Sequence, residues 1–392
     1  MFRRLSMMGI VVAGLAAAPV IPAAAAAGPQ GKIAPAGQAD ISLSGVSCAD
    51  PAHCLAVGQR TAATDPGSDV AQAWNGRSWR MVPVPSPGVL AGLGGVACTA
   101  PAACIAVGGY ATAAGPARAL AMSWDGSGWT VLPVPGPDNS EFRAISCGAP
   151  RSCVAVGDFL GTGRRATLAE AWNGTRWRVL SAANTHSADS VLGAVWCGGP
   201  GSCLGVGTTR SPADITVSLA ERWNGTRWTI DATASPGNEL NILSGVSCAP
   251  APGARTRAAI CVAGGYYLNR GQAFAAPLAD KWTGARWVPF KPRDPGRGGS
   301  LLSVSCASPS GCMFVGGQFS SSGGPLAEAW NGTAWRVVPT ADLGSGTGNL
   351  VAISCPRPSR CMAAGEEFTG SGPARPLAEQ RDGVRWRVTA AR

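Results

Sequence analysis

The chain has 392 residues, 46% of them apolar and only 14% charged, and carries a net charge of +10. That balance supports a sizeable core and excludes wholesale disorder. Nearly all the positive charge is arginine scattered without a dense run, so no nucleic-acid partner is expected; a mild basic excess suits an anionic wall or glycan surface.

Residues 1–27 read as a signal peptide. Arg3 and Arg4 form the charged start, an apolar stretch follows, and Ala25, Ala26 and Ala27 offer a small-residue cleavage site. Pro19 and Pro22 favour cleavage over a retained anchor, so no stable membrane insertion is expected. Residues 28–41 form an N-terminal linker, and from residue 42 the chain repeats itself.

Each repeat opens on an apolar residue and then a cysteine, preceded by Ser in all but the second and fourth, closes a second cysteine shortly after, and runs into Val-Gly or Ala-Gly. A variable stretch and then Ala-x-x-Trp-Asn-Gly-x-x-Trp or a close variant follow. The leading cysteines are Cys48, Cys98, Cys147, Cys197, Cys248, Cys306 and Cys355, spaced 50, 49, 50, 51, 58 and 49 residues apart. The trailing ones are Cys54, Cys104, Cys153, Cys203, Cys261, Cys312 and Cys361, which uses all 14 cysteines. In the second repeat four strands are expected, at 93–98, 104–110, 120–124 and 129–134. A four-stranded meander cannot bury both its faces alone, but seven stacked radially can. The expected fold is therefore all-β: a seven-bladed β-propeller with blades at about 42–91, 92–140, 141–190, 191–240, 241–298, 299–347 and 348–392.

The cysteine spacing fits the hairpin between strands one and two, with Cα atoms about 4.5 to 5.5 Å apart and one disulfide per blade. Zinc would need four ligands together, whereas each pair sits alone, so no metal or other cofactor is expected. Disulfides also agree with export to an oxidising compartment. Tryptophans pair at 74/79, 124/129, 172/177, 223/228, 282/287 and 330/335, with Arg381 replacing the first of the seventh pair before Trp386. One Trp per blade should wedge against a neighbouring blade, and Asn-Gly between the two should turn the hairpin through positive φ. An acidic residue two before the first Trp recurs as Glu170, Glu221, Asp280, Glu328 and Glu379; it is expected to pair with a neighbouring arginine.

These residues resemble the kelch propeller family, whose secreted members include propellers like the central domain of galactose oxidase. Its pattern is matched by the run 105–110, ending Gly108-Gly109-Tyr110, with Trp124 and Trp129 beyond it. Gly264-Gly265-Tyr266 and Gly316-Gly317 match in part; Gly58-Gln59, Gly157-Asp158, Gly207-Thr208 and Gly365-Glu366 depart from it. The run 123–129 also resembles the Asp-box hairpin of sialidase-type propellers. The resemblance implies a propeller and leaves activity open. A copper-radical site is not expected, because the chain has only Tyr110, Tyr266 and Tyr267 with His53 and His186, and the two histidines should project from opposite faces.

Alternation along a meander puts the cysteine and Asn-Gly turns on one face and the longer, varied connections on the other. Variable loops on a rigid scaffold are where ligands usually bind. The candidate contacts follow each second strand: Arg60, Tyr110, Asp158, Phe159, Tyr266, Tyr267, Glu366 and Glu367. In the fifth repeat, Arg255 and Arg257 should face the opposite side from Lys291, Arg293 and Arg297. No nucleophile motif flanks either histidine, and Glu366 and Glu367 should point to opposite sides of an extended strand, so no enzyme is expected. The expected function is an exported, non-catalytic, monomeric binding or scaffolding module, secreted or envelope-associated, for an extracellular protein or cell-envelope polysaccharide. The alternative is a secreted hydrolase or lyase with carboxylates at the channel mouth.

Overall fold

The computed structural model describes residues 39–62, 65–113, 115–183, 189–250, 258–293, 298–319, 323–344, 346–370 and 372–389. The signal peptide, the linker as far as residue 38, and His186, Arg255, Arg257 and Arg297 lie outside them. The described residues form 28 strands and contain no helix long and apolar enough to cross a membrane. The strands pair as four-stranded antiparallel meanders in chain order. Two of these, in repeats four and five, are joined into one eight-stranded sheet by a single parallel bridge, Thr216 to Leu240.

Strands one and two are longer than expected. In the second repeat they span Leu90–Ala100 and Ala103–Ala111, so the cysteine turn shrinks to two residues. All seven expected disulfides form, with Cα separations of 3.9 to 4.1 Å, closer than an ordinary cross-strand pair. The Trp-to-Trp turns also differ from expectation. Trp172 faces Trp177 across the ladder, leaving four residues in the loop, and only the glycine, Gly174, takes positive φ, at 95°. Asn173 works through its side chain: Oδ1 accepts from the amides of Thr175 and Arg176 and from the Thr175 hydroxyl. The Asn-Gly-Thr triplets are thus side-chain-capped turns.

Every first strand carries a bulge four residues before its leading cysteine. In the second repeat Leu93 faces Gly108 and Gly95 faces Val107, so Gly94 is the extra residue. The feature of strand two that recurs in all seven repeats is the glycine opposite that bulge. A Cβ there would lie 1.8 to 2.0 Å from a carbonyl oxygen of strand one at Gly58, Gly108, Gly157, Gly207, Gly265, Gly316 and Gly365. The kelch-like doublets do not occupy one register: Gly108-Gly109 and Gly316-Gly317 begin at this position, whereas Gly264-Gly265 ends on it. The glycines also lie within strand two and do not terminate it.

The core is a set of clusters between neighbouring repeats. Leu55, Val57 and Val82 of the first repeat pack with Leu93, Met122 and Trp129 of the second, and the pattern continues around the molecule. The second Trp of each pair is the wedge, and it packs against the preceding repeat. The circuit closes where Trp79, Val46 and Val70 meet Met362, Ala364 and Ala378. Among the described residues no strand is exchanged between first and last repeats; each keeps a meander of contiguous chain.

The Ser of Ser-Cys latches one repeat to the next. The amides of Cys98, Cys197, Cys306 and Cys355 donate to Ser47, Ser146, Ser247 and Ser305 Oγ at 2.9 to 3.0 Å. The Cys48 amide donates to Ser354 Oγ at 3.0 Å, and Trp79 Nε1 donates to Thr389 Oγ1 at 3.1 Å, so the same latch closes the circuit. Ser354→Ala should cost about 1 kcal/mol in a urea titration, close to the cost of Ser47→Ala. A far larger loss at Ser354 would mean that the seam carries strain the other junctions lack.

Candidate functional site

The seven first strands line a central channel, whose open volume is about 320 Å³. The bulge is what aims a side chain at it, because an extra residue turns the local backbone out of the alternation. The seven bulge residues, Ser44, Gly94, Arg143, Gly193, Ser244, Leu302 and Val351, all border the channel. Arg143 is the one charged residue among them.

Arg143 is 10% exposed and held in a four-charge network. Its Nε donates to Asp158 Oδ1 at 2.7 Å, and its Nη2 donates to Glu141. Arg165 also donates to Asp158, which is 1% exposed, and lies 3.9 Å from Glu141 Oε1. Burial raises the Glu141 carboxyl above the usual carboxylate range, opposed by Arg143 and reinforced by Asp158. Two cations against two carboxylates satisfy one another at low exposure, which fixes the guanidinium beside the channel. Asp158 was legible from the sequence as a candidate. Arg143 was not singled out, although comparing the position four before each leading cysteine would have isolated it.

The other candidates lie in strand two of their own repeats, spread around the channel. Arg60 is exposed and donates to Asp65 Oδ2 at 3.0 Å. Tyr110, Phe159 and Tyr267 are half-buried against the clusters between repeats. Tyr266 is only 4% exposed, packed near Ile242 and Ala275 with its hydroxyl unpartnered, and burial pushes that hydroxyl up to about 12. Glu366 is also buried; Asn349 Nδ2 donates to it at 3.5 Å, and burial raises its carboxyl, with Asp40 adding to the effect. Glu367 is half-buried and Asn349 faces its neighbour Glu366 across the ladder. The structure therefore gathers Asp158 with Arg143 and Glu366 with Asn349, and leaves the tyrosines apart.

Among the described residues, Glu170, Glu221, Asp280 and Glu379 do not pair with arginine as expected. All five acids of the series are buried, and four of them accept backbone amides of the preceding repeat. Glu221 takes the Ala183 amide at 3.4 Å, Asp280 that of Ala234 at 3.1 Å, Glu328 that of Arg293 at 3.1 Å and Glu379 that of Ala341 at 3.0 Å. These carboxylates are structural joints between repeats.

Comparison with solved structures agrees with this architecture. The chain is similar to YCF48 bound to D1 peptide, at 14% identity over 84% of this chain and 93% of that one, with a TM-score of 0.50. It is also similar to the β-propeller domain of the Trilobed protease from Pyrococcus furiosus, at 9% identity over 90% and 98% of the two chains, with a TM-score of 0.51. The chain folds as a β-propeller. At such identities the likeness carries the fold alone, and no protein-family model and no curated protein matches the sequence. Seven disulfides on this propeller suit an oxidising setting.

Proposed function

We propose that the chain is an exported, seven-bladed, non-catalytic propeller that holds an extracellular protein or a cell-envelope glycan on its variable-loop face. The blade count treats the eight-stranded sheet as two blades joined by one bridge, in keeping with the seven sequence repeats. Likeness to kelch repeats extends to the strand-two glycine and the Trp that follows it.

One observation carries the binding reading. Side chains that break the repeat pattern collect at the end of the channel where first strands begin and second strands end: Glu141, Arg143, Asp158 and Arg165 in one repeat, Asn349 and Glu366 in another. The opposite end repeats itself in cysteine and Trp turns. A rigid ring with one diversified face is the arrangement expected of a recognition module. Peptide binding by a propeller has a precedent in the YCF48 complex with D1 peptide. The hydrolase alternative draws less support, since Asp158 is already held by two arginines and Glu366 is buried. In this reading Arg60, Tyr110, Phe159, Tyr267 and Glu367 would touch a partner, and Asp158, Tyr266 and Glu366, which are buried, would act from behind them.

The test is a pull-down from culture supernatant and envelope fractions with the disulfide-intact protein, run beside a glycan array. A retained protein or glycan should be lost on the combined substitution Arg60→Ala, Phe159→Ala and Glu367→Ala while the melting profile is kept. Turnover of a sugar with nothing retained would overturn the proposal.

A further inference from the structure

Away from the channel, the boundary between the fifth and sixth repeats opens into a groove of about 620 Å³. Ile260, Val262, Pro292 and Trp335 form its buried floor, Phe290 and Trp330 its half-buried walls, and Lys281, Lys291 and Arg293 its exposed rim. Two of the chain's three lysines therefore stand at one groove. Arg255 and Arg257, expected on the side opposite Lys291 and Arg293, lie outside the described residues. Strand four is only Trp287–Pro289, and Phe290 stacks on Trp335 at 5.6 Å, which holds the exit segment in the groove beside Thr333 and Ala334.

Comparison between repeats defines the chemistry. The position before the first Trp is Ala73, Ser123, Ala171, Arg222, Lys281, Ala329 and Gln380 through the chain, so repeats four and five alone place a cation there. Repeat four answers it internally: Arg222 lies over the Trp282 ring at 5.5 Å, and Asp231 accepts both its Nε and Nη2 at 3.1 Å. Repeat five has Phe290 where repeat four has Asp231 and adds two further cations. Among the described residues no ion pair joins a carboxylate to Lys281, Lys291 or Arg293; Glu328 accepts the Arg293 backbone amide at 3.1 Å. Among the described residues the groove is thus the neighbouring junction with Phe290 in place of the Asp231 carboxylate and its cavity left open.

We propose that this groove holds an extended peptide segment carrying a carboxylate beside an apolar or aromatic side chain. The carboxylate takes the place that Asp231 fills next door, at the cation rim, and the apolar side chain lies on Ile260, Val262 and the Trp330 ring. A volume of this size accommodates a few residues. An anionic glycan fits less well, because sugar hydroxyls need placed polar partners, and on the walls Thr333 already donates to Asn331 at 2.9 Å and Trp330 Nε1 to the Pro309 carbonyl at 3.2 Å.

The test is selection of displayed random heptapeptides on the oxidised protein, followed by binding of the selected peptide, synthesised and labelled, in solution. Enriched sequences should place Asp or Glu within two residues of Phe, Trp or Leu. The combined variant Lys281→Ala, Lys291→Ala and Arg293→Ala should bind that peptide roughly tenfold more weakly and lose most of its salt dependence. Its melting profile should match the wild type, since all three side chains are exposed. Selection without an acidic–apolar pattern would overturn the proposal, as would equal binding by the variant. Polygalacturonate held through the same cations while no peptide is enriched would replace the peptide with a glycan. Because the groove lies apart from the variable-loop face, the Arg60, Phe159 and Glu367 substitutions should leave this binding unchanged.

Discussion

Gly108→Ala should destabilise the protein by about 3 kcal/mol in denaturant titration under non-reducing conditions. A Cβ at this position would stand 2.0 Å from the carbonyl oxygen of Gly92 and 2.8 Å from the Leu93 Cα. Both obstacles are backbone, so neither can swing aside as a flexible side chain would. Relief demands that strand one lift away from strand two, which loosens the bulge that turns residue 94 toward the channel and disturbs the packing of Leu93 between the first two repeats. Gly128→Ala in the same repeat is the matched control. Nothing lies within 4 Å of its added carbon, and the change should stay within about 0.5 kcal/mol. Equal effects at the two positions would show that the strand-two glycine owes its recurrence to something other than close backbone approach.

This glycine marks where sequence reading reaches its limit. Cysteines at near-constant spacing and paired tryptophans declared the repeat, the hairpin disulfides and the all-β class, because each is a local pattern with a local cause. The bulge is different. It appears only when strand one is laid against strand two, and a one-residue shift changes which side chain faces the axis. Arg143 was hidden for that reason, lying in a strand that otherwise reads as ordinary alternation. The acids before the first Trp were visible as a series, yet their partners are backbone amides of the preceding repeat, which carry no residue-type signal.

The acid series yields a second large effect, at Glu170. Each of its counterparts accepts the amide six residues after the second Trp of the preceding repeat: Ala183, Ala234, Arg293 or Ala341. The residue at that place before Glu170 is Pro135, which has no amide hydrogen to give. Glu170 is fully buried, both its carboxyl oxygens lack partners, and burial pushes the group up to about 7. The neutral acid is therefore the form the folded state favours. With an unfolded value near 4.5, its contribution is fully present below about pH 4.5, falls as pH rises, and levels off above about pH 7; the difference is at most roughly 3 kcal/mol. Glu221 and Glu379, raised in the same way to about 7, act in the same direction, so the protein should melt higher at pH 5 than at pH 8.

The chain contains its own remedy. In repeat two the equivalent residue is Met122, fully buried, and the residue facing it by the same count is Pro85. Glu170→Met should therefore raise the melting temperature at pH 8 by several degrees, and the gain should shrink steadily toward pH 5, where the wild-type carboxyl is already neutral. Glu170→Gln separates charge from polarity: it keeps an amide that needs partners but cannot titrate, so its stability relative to Met should not vary with pH. Wild-type and Glu170→Met curves that run parallel from pH 5 to pH 8 would mean that Glu170 finds a partner in solution, and that a proline at this joint costs the carboxylate nothing.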